Sequence, residues 1–158
     1  MNYLLPYHGL GGDIGKVGRK AVGQWAEVVK GNAKYNCPVK DGELRNSIHS
    51  YTKEAEDGIS GKIYTNCDHA VPVEFGSGPT GRGTYPYAIK GYNPHYKADK
   101  WKVKIPNVGV RWIAGQVAQP FMSKAYFEEK NNHRGEKRVI KVFQEEVRKL
   151  GSGKKWLI

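Results

Sequence analysis

The chain has 158 residues and a formal net charge of +11, the length of one ordinary domain. That length can bury roughly two-thirds of the unfolded surface without help from metals or disulfides. No uncharged stretch approaches the ~20 apolar residues of a membrane span, so no membrane partner is expected. Cys37 and Cys67 are too few for a disulfide scaffold and point to synthesis in a reducing cytoplasm.

Residues 1–12 are apolar, with Pro6 and three glycines, and are expected to form an arm rather than a helix or a signal peptide. A helical pattern begins at Asp13, with Val17, Ala21, Trp25, Val28 and Ala33 near one face. Gly15, Gly18, Gly23 and Gly31 weaken that helix by ~1 kcal/mol each, but also permit a neighbour to approach closely. It must stop before Cys37-Pro38, because a residue preceding proline avoids the helical region. Residues 38–47 predict a turn and one helical turn. Residues 48–53 and 59–65 alternate in the manner of strands around Glu54-Ala55-Glu56-Asp57-Gly58, a β-hairpin with an acidic loop.

Residues 68–75 are a short apolar stretch interrupted by Pro72, either a broken helical turn or an edge strand. A long loop rich in Gly, Pro and Tyr follows over 76–96. In residues 100–105, Lys100, Lys102 and Lys104 alternate with Trp101, Val103 and Ile105, a strand with a basic outer face. Residues 108–114 predict a fourth strand. Pro120 suits the first position of a closing helix, whose face carries Met122, Ala125, Tyr126 and Glu129, then Val139, Ile140, Phe143, Val147 and Leu150. Residues 131–135 are a candidate interruption of it.

The expected architecture is α+β: an N-terminal helix, an antiparallel sheet of about four strands with a long basic Gly/Tyr-rich loop, and a long C-terminal helix packed on the sheet. The domain spans 13–150, with the loop 76–100 inside it, between the arm 1–12 and a basic tail 151–158. The tail's apolar tip, Trp156-Leu157-Ile158, is expected to dock on a partner or on its own core.

Charge divides the chain. Residues 1–79 hold nine basic and nine acidic side chains; residues 80–158 hold seventeen and six, the whole +11. Such asymmetry suits a polyanion or an acidic protein surface. In the segment 80–112, Arg82, Lys90, Lys97, Lys100, Lys102, Lys104 and Arg111 are interleaved with Tyr85, Tyr87, Tyr92, Tyr96, Trp101 and Trp112. Cations for phosphates and rings for bases make a nucleic-acid-binding protein one reading.

Catalytic signals are sparse. Gly76-Ser77-Gly78-Pro79-Thr80-Gly81 fits G-x-G-x-x-G, but Gly83 and Pro86 prevent the helix a dinucleotide site needs, so a flexible loop is expected. Cys67 and His69, two residues apart, offer a hydrolase nucleophile or a partial metal site, without a visible third ligand. The chain is expected to be no enzyme and to hold no metal or cofactor.

Three patterns in order carry a family resemblance. Cys37-Pro38-Val39-Lys40-Asp41-Gly42-Glu43-Leu44-Arg45-Asn46-Ser47-Ile48 is similar to the Pro-x-x-(Thr/Asp)-Gly-x-Leu-(Arg/Lys)-x-Ser-Ile signature of minor tail components of tailed bacteriophages. His69-Ala70-Val71-Pro72-Val73-Glu74-Phe75-Gly76-Ser77-Gly78 resembles the family's Tyr-Ala-x-x-(Val/Ile)-Glu-Phe-Gly-Thr-Gly, and Ala118-Gln119-Pro120-Phe121-Met122 its Gln-Pro-Phe-(Met/Leu). His69 stands for Tyr and Ser77 for Thr, and the loop 78–106 is longer than the family requires.

The resemblance implies a head–tail joining or tail-completion protein of the virion. Such a protein is made in the host cytoplasm and forms a homo-oligomeric ring at the neck or tail terminus, sixfold as the tails are. Its partners would be the head connector or adaptor and the tail-tube protein, with the DNA end at the neck also within reach. Motif residues Pro38, Gly42, Leu44, Ser47, Ile48, Glu74, Phe75, Gly76, Gly78, Pro120 and Phe121 would be structural, with Glu74 paired to a backbone donor or to a neighbouring subunit's cation. Charge sign adds candidate contacts between subunits: Glu54, Glu56 and Asp57 against Lys100, Lys102 and Lys104, with Arg82 on the basic loop.

Overall fold

The structure is a computed structural model that describes residues 2–5, 12–55, 58–89 and 93–152, with backbone alone for 2–5, 14, 55 and 151–152. Its organising element is α1 (Asp13–Asn36), which buries more than one stripe. Val17, Ala21, Trp25 and Ala33 are buried as their spacing predicts, and Val22, Ala26 and Val29 are buried as well. The reason is that α1 packs on two layers at once. One layer is the hairpin of β2 (His49–Ala55) and β3 (Gly58–Tyr64). The other is the helix pair α5 (Phe121–Asn131) and α6 (Arg134–Ser152). Glycine makes the first contact close: a Cβ on Gly61 of β3 would stand 3.2 Å from Val22 and 3.3 Å from Ala26.

The hairpin closes at Ala55↔Gly58, and the backbone of β1 (Asn2–Leu5) pairs antiparallel on the outer side of β3. The rest of the expected arm (1 and 6–11) and the apolar end of the tail (153–158) lie outside the described residues. After α1, Gly42 adopts φ +88 and starts the single turn α2 (Glu43–Asn46), which drops Leu44 and then Ile48 into the core.

Residues 68–75, open between helix and strand in the sequence, contain the helix α3 (Ala70–Phe75). Pro72 is its third residue, where the missing N–H would have had no intrahelical partner. One further turn, α4 (Gly78–Gly81), lies within the expected long loop.

Two expectations are corrected. The strands form two antiparallel sheets, not one of about four strands: β4 (Trp101–Ile105) pairs only with β5 (Gly109–Ile113). The register puts Lys102, Lys104, Val110 and Trp112 on an exposed face, and Trp101, Val103 and Ile113 with Arg111 on a face that is only half-buried, so neither face of the ribbon reaches the main core. The closing element is not one long helix on the sheet either. It breaks at Asn132 and at His133, whose φ is +51, and both halves pack on α1. Gly135 permits this, since a Cβ there would fall 2.2 Å from the Trp25 ring.

Candidate functional site

The second and third motifs meet in space and lock together. Glu74, on α3, is 5% exposed. Its two carboxylate oxygens accept the backbone N–H groups of Met122 (2.9 Å) and Ser123 (2.8 Å), in the first turn of α5. Pro120, preceding α5, provides no side-chain cap, so Glu74 caps the helix from another element. Burial raises the Glu74 pKa above the ordinary carboxylate range, against the lowering effect of Ser123 and the two N–H donors. Ser123 Oγ also meets the Tyr85 hydroxyl at 2.6 Å.

Beside this cap, two backbones run in contact. Ser77 N–H donates to Gln116 O (2.9 Å), Gln116 N–H to Ser77 O (3.1 Å) and Thr80 N–H to Ala114 O (3.0 Å). Gln119 N–H donates to Val73 O (2.8 Å), and Gln116 Nε2 donates to Pro72 O (2.9 Å). The approach demands glycine: a Cβ on Gly115 would lie 1.8 Å from Ser77 O, and one on Gly78 2.5 Å from Ala114 O. The expectation of a flexible glycine loop over 76–81 is therefore corrected. Gly76, Gly78 and Gly81 serve close packing, and the only helix that opens among them in the described residues is the single turn α4.

The first motif borders the same place. Pro38, Gly42 and Leu44 line one side of a groove of about 490 Å³, and His69, Ser77 and Gln119 line the other. Ser47 Oγ donates to Leu44 O (2.8 Å) and contacts Thr65 Oγ1 (2.6 Å). Phe121 and Ile48 are wholly buried, while Phe75 stacks obliquely on Tyr85 with centroids 4.8 Å apart.

The candidate contact residues occupy a different surface. Lys100, Lys102, Lys104 and Arg111 are exposed on or beside the β4–β5 ribbon. So are Val108 and Val110, and Trp112 is 64% exposed. Lys102 Nζ sits 5.1 Å from the Trp112 ring centroid. Arg82 is exposed just after α4. Glu54 is ion-paired with Arg19 of α1. Glu56 and Asp57 lie outside the described residues, as do Lys90 and Tyr92 of the basic segment.

The aromatic rings of that segment are divided between two tasks. Tyr85 and Tyr87 continue into a stack with Phe127 of α5, and Tyr96 donates its hydroxyl to Phe75 O at 2.9 Å. These three hold the loop to the body. Among the described residues, Trp112 faces solvent on the ribbon's basic side. Sequence reasoning missed one donor: Glu43 of α2 reaches Cys67 and His69, and their ligand atoms lie within 4.8 Å of one another.

In this α+β chain the second and third motifs form one internal clasp, the first borders it, and a basic ribbon stands outside. Residues 8–76 match the family described as "Bacteriophage HK97-gp10, putative tail-component". That match bears out the resemblance to phage tail components across the first motif and most of the second; the third motif lies beyond it. Comparison with curated proteins and with solved structures yields no match. Among the described residues, no helix is long and apolar enough to cross a membrane.

Proposed function

We propose that this chain is a structural protein of the phage virion that closes into a ring at the head–tail interface, using the β4–β5 ribbon as its arm. The observation that carries the reading is the ribbon itself. A two-stranded ribbon is marginal alone in water. This one exposes Val108, Val110 and Trp112 among Lys100, Lys102 and Lys104, a mixture suited to burial against an acidic, partly apolar protein surface. The matched tail-component family supports the virion setting. The internal clasp supplies the rigid body such an arm requires. A ring needs a heterologous contact that closes, so the surface receiving the ribbon differs from the ribbon. Glu54 is engaged by Arg19, so the receiving acids are sought elsewhere, on the neighbouring subunit or on the connector.

The test is quantitative mass spectrometry of purified particles from the phage or prophage encoding the chain. The expected result is a small fixed copy number relative to the connector, six if the ring follows the tail. Absence from intact particles overturns the proposal. Tight, steeply salt-dependent binding of DNA by a chain absent from particles would move the same basic ribbon to a nucleic acid.

A further inference from the structure

Cys67, His69 and Glu43 are not used by the clasp or the ribbon, yet the fold gathers them. Cys67 Sγ lies 3.1 Å from His69 Nδ1 and 3.4 Å from Nε2, and a Glu43 carboxylate oxygen completes a set within 4.8 Å. We propose that these three side chains form a zinc-binding site that ties α2 to the 67–69 turn.

Three features carry it. The first is the donor chemistry. A thiolate, an imidazole and a carboxylate are the three ligand types that zinc takes, and the thiolate discriminates against magnesium and calcium. The second is spacing. At metal–ligand bonds of about 2.0–2.3 Å, tetrahedral donors stand roughly 3–4 Å apart, so the set needs only small side-chain adjustment to close on an ion.

The third is the support beneath the donors. Thr65 Oγ1 accepts the Cys67 N–H at 3.1 Å and touches Ser47 Oγ at 2.6 Å, while Ser47 Oγ donates to Leu44 O. Ala70 N–H donates to Cys67 O at 3.0 Å, closing the turn that carries His69. The two segments that supply the donors are thus already held together by hydrogen bonds, which fixes the backbone from which the three side chains reach. Glu43 and His69 are exposed and Cys67 half-buried, so an ion can enter from solvent. On binding, the Cys67 thiol gives its proton to solvent, the imidazole binds neutral, and the fourth position is left to water.

The experiment uses the untagged full chain, freed of metal by a chelator, titrated with Co²⁺ and then with Zn²⁺. The expected result is one cobalt per chain, with a thiolate-to-cobalt charge-transfer band in the near ultraviolet that zinc abolishes by displacement. Cys67→Ser should remove that band and weaken zinc binding by at least about tenfold, since even outer-shell partners are worth about 10–100-fold. Glu43→Gln, at an exposed position, should keep the band and weaken zinc by a similar factor. Failure to bind one equivalent overturns the site, as does binding that neither substitution changes.

Discussion

Glu74 is a carboxylate placed where a charge is costly and a helix end needs an acceptor. Its oxygens satisfy two of the N–H groups that open α5, and nothing else in the first turn offers a side-chain cap. Replacing it with Gln turns one acceptor into a donor facing an N–H. Glu74→Gln should therefore destabilise the fold by roughly 1–3 kcal/mol, the range for a buried polar group left unpaired. The pH dependence gives a second reading of the same residue. Because burial raises its folded pKa, the contribution of Glu74 is full below the ordinary glutamate value of about 4.3 and is lost as pH rises through the raised value. Urea unfolding across pH should show the gap between wild type and Glu74→Gln widest in acid and narrowing upward. A gap that widens with pH would mean that the backbone donors outweigh burial. The need for a partner at Glu74 was legible in the sequence, because a lone buried charge does not persist. Which partner was not legible, since the donors lie 48 and 49 residues away. Gly76, Gly78 and Gly81 were visible as glycines, but the backbone they make room for sits at 114–118, and no local pattern points there.

At the scale of elements, local periodicity carried the hairpin and the helices, because alternation and the 3.6-residue stripe are written in neighbouring residues. What it could not carry was how many layers α1 faces. A single stripe predicts one neighbour, whereas Val22, Ala26 and Val29 are buried because a second layer covers the flank. The same limit placed α5 and α6 on the sheet instead of on α1. Their junction is set by Gly135, whose backbone rests on the Trp25 indole. Gly135→Ala puts a methyl group into that ring, which is rigid and enclosed. Overpacking of this kind costs about 1–3 kcal/mol. Thermal unfolding should report it as a fall of roughly 2–4 °C per kcal/mol in a chain of this size. An Ala substitution at Gly31, where a Cβ would meet nothing within 4 Å, should leave the melting temperature unchanged or raise it. If the two variants behave alike, close packing of α6 on Trp25 is not what Gly135 serves.

For the whole molecule, charge and architecture divide in the same place. The half of the chain without net charge provides α1, the hairpin and α3, while the half with +11 provides the ribbon, α5 and α6. Among the described residues, Lys20 with Glu146 and Arg138 with Glu129 span elements of the helical layer, whereas Lys100, Lys102 and Lys104 are in no ion pair. Reversing all three to Glu should therefore leave the chain folded, at a cost of about 1–2 kcal/mol, since each exposed substitution costs within about 0.5 kcal/mol and the contact of Lys102 with the Trp112 ring is lost. Assembly should respond differently. If the ribbon grips an acidic neighbour, the reversed chain should be lost from particles while remaining soluble and folded. Trp112→Ala should weaken incorporation without touching the charge, because the ring supplies the apolar part of the same face. The pair of variants separates the partners. A protein surface that buries the ribbon needs both the ring and the lysines, so both variants fail to assemble. A polyanion held by charge alone needs the lysines, so Trp112→Ala then behaves as wild type and binding by the unmodified chain falls steeply with salt. Normal incorporation of both variants would remove the ribbon from the assembly surface and leave the exposed face of α6, with Ile140, Val147 and Leu150, as the next place to cut.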